Sequence, residues 1–216
     1  MSFSLNTLAY KISAKSRARK HEFFLATIKP KPHESILDVG ANAIEYSDTD
    51  NYLEKHYPYP SQITVVSLDD TSHLKTQYPE VTFIQADGTK LPFKDDEFDI
   101  AYSNAVIEHV GSYEAQRAFL SELARVSKRG YLTTPNRHFP IEVHTRVPLL
   151  HLLLPKRLFD VYLRCIGKAW AAEDYMNLLT KSDLKKLLSD AHITHYHITH
   201  NRFCGLTMTY TLTWTK

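Results

Sequence analysis

The sequence is short of glycine where a nucleotide-binding turn would need it. Six glycines occur in 216 residues, and in ILDVGANAIEYSD, residues 36 to 48, a single one follows a short apolar run and an acidic residue. A dinucleotide-binding turn carries two more within about five positions, so that backbone N–H groups can approach a pyrophosphate. Asn42 and Ile44 stand there instead. A nicotinamide-dependent oxidoreductase is therefore disfavoured.

Other absences narrow the class further. The two cysteines, Cys165 and Cys204, are far apart, match no metal-ligand spacing and need not pair, as expected in a reduced compartment. Charge of neither sign dominates: 26 Lys and Arg stand against 24 Asp and Glu, so the chain is not the polycation that nucleic-acid binding often needs. No window approaches the roughly 18 apolar residues of a membrane span, and the N-terminus lacks the apolar core of a signal peptide. The expectation is one cytoplasmic domain over residues 1–216. A basic cluster in the N-terminal segment (Lys11, Lys15, Arg17, Arg19, Lys20) reads as a solvated helix face.

What is present is an alternation of short apolar runs with helical patterns, the signal of a parallel sheet covered by helices on both faces. Strands are expected near Ser35 to Val39, Ile63 to Leu68, Val81 to Gln85, Phe98 to Ser103 and Tyr131 to Thr134. Tyr113 to Val126 and Ser182 to Ala191 have apolar residues at helical spacing. Ile193 to His200 and Leu206 to Thr215 alternate apolar and polar residues around Asn201 to Gly205, which predicts an antiparallel hairpin at the sheet's edge. The fold class is thus α/β: a Rossmann-like, doubly wound, seven-stranded sheet with its last strand antiparallel. Residues 136–179, with the apolar run VPLLHLLLP, fit no sheet position. They form either a cap over a substrate site or a helical subdomain that only covers the core.

In an open parallel sheet a ligand lies outside the carboxyl ends of the strands. The residues there are largely acidic: Asp38 and Gly40 after the first strand, Asp69 and Asp70 after the second, Asp87 and Gly88 after the third, Asn104, Glu108 and His109 after the fourth. Carboxylates suit a ligand with a cationic amino-acid end, ribose hydroxyls and an adenine amino group, and no phosphate. S-adenosylmethionine is such a ligand.

From Ile36 to about Gly130 the chain resembles a class I S-adenosylmethionine-dependent methyltransferase, above all in QADGTKLPFKDDEFDIAYSNAVIEHV, residues 85 to 110. TTPNRHFPIEVHT, residues 133 to 145, is similar to the segment after the fifth strand in bacterial members that act on small molecules, lipids and glycans. The resemblance implies that Asp38 and Gly40 meet the methionyl part, Asp69 or Asp70 the ribose hydroxyls, and Asp87 the adenine amino group with Gly88 beside the ring. Asn42 tolerates a left-handed backbone and is expected to replace one missing glycine, whereas the β-branched Ile44 does not. The acidic, aromatic segment through Glu45, Tyr46, Asp48, Asp50 and Tyr52 offers polar groups that can take over the role of a glycine-rich turn.

Methyl transfer is an in-line displacement in which holding acceptor and methyl in near-attack geometry supplies much of the acceleration. His109 suits the removal of a hydroxyl proton, and Glu108 is its neighbouring candidate. Arg137, Glu142 and His144 are candidates for orienting an acceptor. The acceptor is expected to be a small molecule, a glycan or a lipid-linked compound, and S-adenosylhomocysteine the product. No metal is expected, because the four histidines of HITHYHITH, residues 192 to 200, alternate between strand faces and do not converge. Ser103-Asn104-Ala105-Val106 stands where enzymes methylating nucleobase amino groups carry Asn- or Asp-Pro-Pro-Tyr. An RNA methyltransferase ranks lower for that reason. A non-catalytic relative that binds S-adenosylmethionine or its product as a partner subunit is the reading from another class. The leucines of 147–155 suit a hydrophobic part of the acceptor or the surface of a homodimer.

Overall fold

The computed structural model describes residues 5–172 and 176–216, with side chains from Ala14 onward; Lys11's side chain and residues 173–175 of the expected cap lie outside it. Seven strands form one sheet: β1 (Ile36–Val39), β2 (Ile63–Ser67), β3 (Thr82–Gln85), β4 (Phe98–Asn104), β5 (Ser127–Pro135), β6 (Tyr196–Phe203) and β7 (Leu206–Thr215). Their order is β3-β2-β1-β4-β5-β7-β6, with β1 to β5 parallel and β7 antiparallel to both of its neighbours. The seven-stranded sheet with an antiparallel last strand is the expected one. The order reverses direction at β1 and β4, which opens a crevice at their carboxyl ends.

Strand alternation divides the core into two layers. Leu37, Val39, Ala101 and Leu132 face α4 (Tyr113–Val126) and α7 (Lys181–Asp190), where Phe119, Leu123, Leu184 and Leu188 meet them. Ile36, Ile63, Ile100 and Tyr131 face the other side, covered by α1 (Leu5–Ile28), α2 (Tyr52–His56) and α3 (Leu74–Gln77). Phe24 of α1 is fully buried there, edge-on to Tyr102 and Tyr131 at 5.0 and 5.2 Å. Burying an aromatic ring of this kind stabilises by roughly 2–3 kcal/mol, which anchors α1 across the sheet.

Several boundaries differ from the sequence expectation. β5 begins at Ser127, directly after α4, because Ser127 and Arg129 pair with Phe98 and Ile100 of β4 and Arg129 also pairs with Thr215 of β7. Gly130 on it lies under Trp214, whose ring an added Cβ would meet at 2.0 Å. The α7 helix starts one residue early: Thr180 is its cap, in a reciprocal capping box with Asp183. The hairpin turns at Cys204 and Gly205, both with positive φ, rather than across Asn201 to Gly205. Residues 136–179 carry the short α5 (Leu150–Leu153) and α6 (Lys156–Cys165) over their own small core of Val147, Phe159, Leu163, Ala171 and Met176. Among the described residues no helix is long and apolar enough to cross a membrane.

Candidate active site

A cavity of about 730 Å³ opens at the carboxyl ends of β1 to β4. Asp38, Gly40, Asn42, Asp69, Asp87, Gly88, Asn104, His109 and His144 line it, together with Arg17, Asn51 and Tyr52. Asp70, Glu108, Arg137 and Glu142 do not. Asp70 is exposed and accepts a hydrogen bond from the Ser72 N–H at 2.8 Å, the local capping geometry that short acidic side chains favour. Asp69, one residue nearer the strand end, is the acid that faces the cavity.

Both glycines of the crevice are needed for close approach. Gly40 has φ +106, and a Cβ on it would lie 2.3 Å from a Val106 methyl. At Gly88 a Cβ would meet Phe119 at 2.7 Å and Val39 at 2.9 Å. Asp87 is fixed by accepting from the Thr89 N–H and hydroxyl, both at 2.8 Å.

The glycine-poor loop after β1 is held by side chains. Asn42 does not adopt the left-handed backbone expected of it; Asn51 does, at φ 48. The Asn51 amide then brackets Asn42, accepting from its N–H at 2.9 Å and donating to its carbonyl at 3.0 Å. Asp50 accepts from the N–H groups of Tyr46 and Ser47, each at 2.9 Å. Glu45 is tied to Lys55 at 2.9 Å and receives the Tyr78 hydroxyl at 2.6 Å. Ile44 is exposed and needs no unusual φ. Arg17 of α1 reaches the same loop, donating to the Thr49 carbonyl at 2.7 Å. The basic cluster is therefore not simply a solvated face. Lys20 is half-buried, and desolvation, then the neighbouring Arg17 charge, push its ammonium down to about 8 while Glu108 opposes them.

Beneath the loop Asp38 stands beside Glu54 of α2, both buried. Burial, then the charge of Glu54, raises the Asp38 carboxyl well above the carboxylate range. Burial also raises Glu54, neither of whose carboxyl oxygens has a hydrogen-bond partner. Two carboxyls crowded into a dry site cannot both ionise cheaply, and a cationic group between them relieves the conflict. Glu54 carries no signal in the sequence, because YLEKH reads as an exposed helical turn with a solvated acid.

The other end of the cavity is built from the turn after β4 and the segment after β5. Ala105 leaves the strand at φ 60, an uncommon conformation for a residue with a Cβ, and Ile107–His109 form a 3₁₀ turn. Glu108 is fully buried; one oxygen accepts from the Thr134 hydroxyl at 3.0 Å and the other accepts no hydrogen bond. The Nε2 atoms of His109 and His144 are 3.2 Å apart, and His144 Nε2 is 3.7 Å from the unpartnered Glu108 oxygen. His144 Nδ1 meets Glu142 at 2.9 Å, and Glu142 also accepts from the N–H and hydroxyl of Thr145 at 2.5 and 2.6 Å. Burial works to raise Glu142, but the His144 hydrogen bond and charge, with Thr145, hold it at about 2. For His144 burial disfavours the charge, while the bond to Glu142 and the charge of Glu108 outweigh it and raise the imidazole. Asn104 accepts the Thr133 hydroxyl at 2.6 Å.

Glu142 also walls a second cavity of about 310 Å³, together with Arg137, Gln116, Phe159 and Met176. Arg137 thus lines the second cavity and not the one that His109 borders. Of the histidines in 192–200, His192 and His195 precede β6, His197 and His200 lie on it, and His200 contacts Lys181 and Thr207 at 3.0 and 3.1 Å.

A parallel sheet reversing between β1 and β4, closed by an antiparallel β7 and carrying acids at three successive strand ends, is the Rossmann-like fold of class I methyltransferases. Residues 37–133 match a family described as a methyltransferase domain. Probable S-adenosylmethionine-dependent methyltransferases from two strains of Mycobacterium tuberculosis are 36% identical over 81 residues, which is 35% of this chain and 28% of theirs. The chain thus spans little more than a quarter of those curated relatives. Among solved structures, a Methanosarcina mazei S-adenosylmethionine-dependent methyltransferase superposes with a TM-score of 0.61 at 15% identity, over 88% of this chain and 96% of that one. Magnesium protoporphyrin IX methyltransferase from Synechocystis PCC 6803, with bound S-adenosylhomocysteine, gives 0.61 at 14%, over 100% and 89%. Burkholderia thailandensis 1,6-didemethyltoxoflavin-N1-methyltransferase gives 0.61 at 15%, over 96% and 80%.

Proposed function

We propose that this protein is an S-adenosylmethionine-dependent methyltransferase acting on a small-molecule, glycan or lipid-linked acceptor in the cytoplasm. The observation that carries the reading is the acid-lined cavity itself. Asp38, with Glu54 beneath it, suits the methionyl ammonium; Asp69 suits the ribose hydroxyls; Asp87, with the open face of Gly88, suits the adenine. Asn42 and Asn104 border the same space.

This pose directs the sulfonium methyl towards His109, His144 and the buried Glu108. The reaction breaks the S–CH₃ bond, whose electron pair stays on sulfur, and forms a bond from the acceptor atom to the methyl. The acceptor's proton leaves, and the products are the methylated acceptor and S-adenosylhomocysteine. His109 and Glu108 are the catalytic residues of this reading, acting on the acceptor's hydroxyl; His144, oriented by Glu142, borders the acceptor, and Arg137 contributes from the second cavity.

The exposed Leu149, Leu153 and Leu158 of the cap suit a hydrophobic part of an acceptor, or a second copy of the chain. Solution mass separates the two uses. The test of function is transfer of label from methyl-labelled S-adenosylmethionine into polar and lipid fractions of a cell extract. Incorporation into one fraction that disappears with His109→Ala supports the reading. Tight cofactor binding with no transfer to any fraction would instead support a non-catalytic partner subunit.

A further inference from the structure

We infer that Glu108, His109 and His144 bind one divalent first-row transition-metal ion, which holds an oxygen of the methyl acceptor. One ligand atom from each of the three lies within 4.8 Å of the others. Two imidazoles and one carboxylate are a donor set that such ions accept while leaving positions open for another ligand.

Four observations converge on this use. The two Nε2 atoms are 3.2 Å apart, the separation of adjacent ligands each about 2.1 Å from one ion. The Glu108 oxygen nearest His144 is buried and accepts no hydrogen bond, although a buried carboxylate oxygen left unsatisfied is costly. Glu142 Oε1 lies 2.9 Å from His144 Nδ1, and a carboxylate accepting there selects the tautomer whose Nε2 lone pair points towards His109. This is the carboxylate–histidine support by which proteins orient a metal-bound imidazole. Finally, His109 and His144 line the cavity that Asp38, Asp69 and Asp87 also line, with Glu108 buried behind them, so an ion there sits beside the delivered methyl.

The chemistry deepens the proposed function and rests on it in one respect, the presence of an acceptor. An ion acting as a Lewis acid lowers the pKa of a bound hydroxyl, so that its proton passes to water. The oxygen then forms the O–CH₃ bond as the S–CH₃ bond breaks. The acceptor class is therefore a hydroxyl compound, and both histidines act as ligands instead of as bases. No local spacing signals this metal site, because Glu108 and His109 are separated from His144 by a whole helix, strand and turn. The histidine-rich segment near the C-terminus has the local density and lacks the convergence.

The test is titration of Mn²⁺ into the full chain, followed by electron paramagnetic resonance of the free ion, with Co²⁺ visible absorption as a second probe. One equivalent is expected to bind the wild type, at least tenfold more weakly in His109→Gln and His144→Gln, and about 10–100-fold more weakly in Glu142→Gln. Calorimetry with S-adenosylhomocysteine on the same samples shows that the variants are folded and keeps the two questions apart, since cofactor binding should be unchanged. A wild type that binds S-adenosylhomocysteine but takes up no stoichiometric Mn²⁺, Co²⁺ or Zn²⁺ would overturn the inference. So would histidine variants that bind the ions as tightly as the wild type. Metal uptake without cofactor binding would leave the ion site standing and remove the methyltransferase reading.

Discussion

Asn51 brackets Asn42 with both ends of one amide, at 2.9 and 3.0 Å, and so closes the loop after β1, which lacks the glycines of a nucleotide-binding turn. Asn51 holds φ 48 to do this. Asn51→Ala removes both bonds and puts a Cβ residue without local polar compensation at that φ, so stability is expected to fall by about 2 kcal/mol and cofactor affinity by about tenfold. Asn51→Gly keeps the backbone accessible and should recover part of the stability and little of the affinity. Chemical denaturation and calorimetry on the two variants check both statements.

The Asp38–Glu54 pair sets a pH dependence of definite sign. Both carboxyls sit above their ordinary values in the folded protein, Asp38 through burial and then Glu54, and Glu54 through burial. Between the unfolded value near 4 and the raised folded value the native state binds more protons, so this pair's contribution to stability falls as pH rises through that window. A cationic methionyl group needs the carboxylate form, so binding should release protons. Calorimetry in buffers of different ionisation enthalpy measures that release, which Glu54→Gln is expected to reduce. Heat that is independent of the buffer would contradict the assignment.

Gly40→Ala combines a positive φ with a Cβ placed 2.3 Å from Val106. A loss of about 2–4 kcal/mol is expected from urea denaturation. Adding Val106→Ala relieves the overlap and leaves the φ strain, so the double variant should regain about half. No regain would mean that backbone strain alone accounts for the loss.

The division between what can and cannot be read from the chain follows interaction range. The short strands of the parallel sheet, the acids at strand ends and the amphipathic Tyr113–Val126 helix are local patterns and match the observed elements closely, whereas the strand expected at Ile193 to His200 lies three residues later, at Tyr196–Phe203. The fifth strand is expected only from Tyr131, yet the polar Ser127 and Arg129 already pair with β4, and Arg129 with β7 as well. The left-handed backbone expected at Asn42 belongs to Asn51, since only the folded loop decides which asparagine carries the strain. Glu54 meets Asp38, Arg17 meets Thr49, and His109 meets His144 across separations of 16, 32 and 35 residues, where no periodicity signals the contact.

The proposed function depends on the acidic crevice holding S-adenosylmethionine. Calorimetric binding of S-adenosylmethionine and S-adenosylhomocysteine to the wild type, Asp69→Ala and Asp87→Ala measures this without any knowledge of the acceptor. Micromolar binding to the folded wild type is expected, weakened at least tenfold in each variant, with no binding of NAD. Wild-type protein that is folded yet binds neither compound, or variants that bind as well as the wild type, would contradict it.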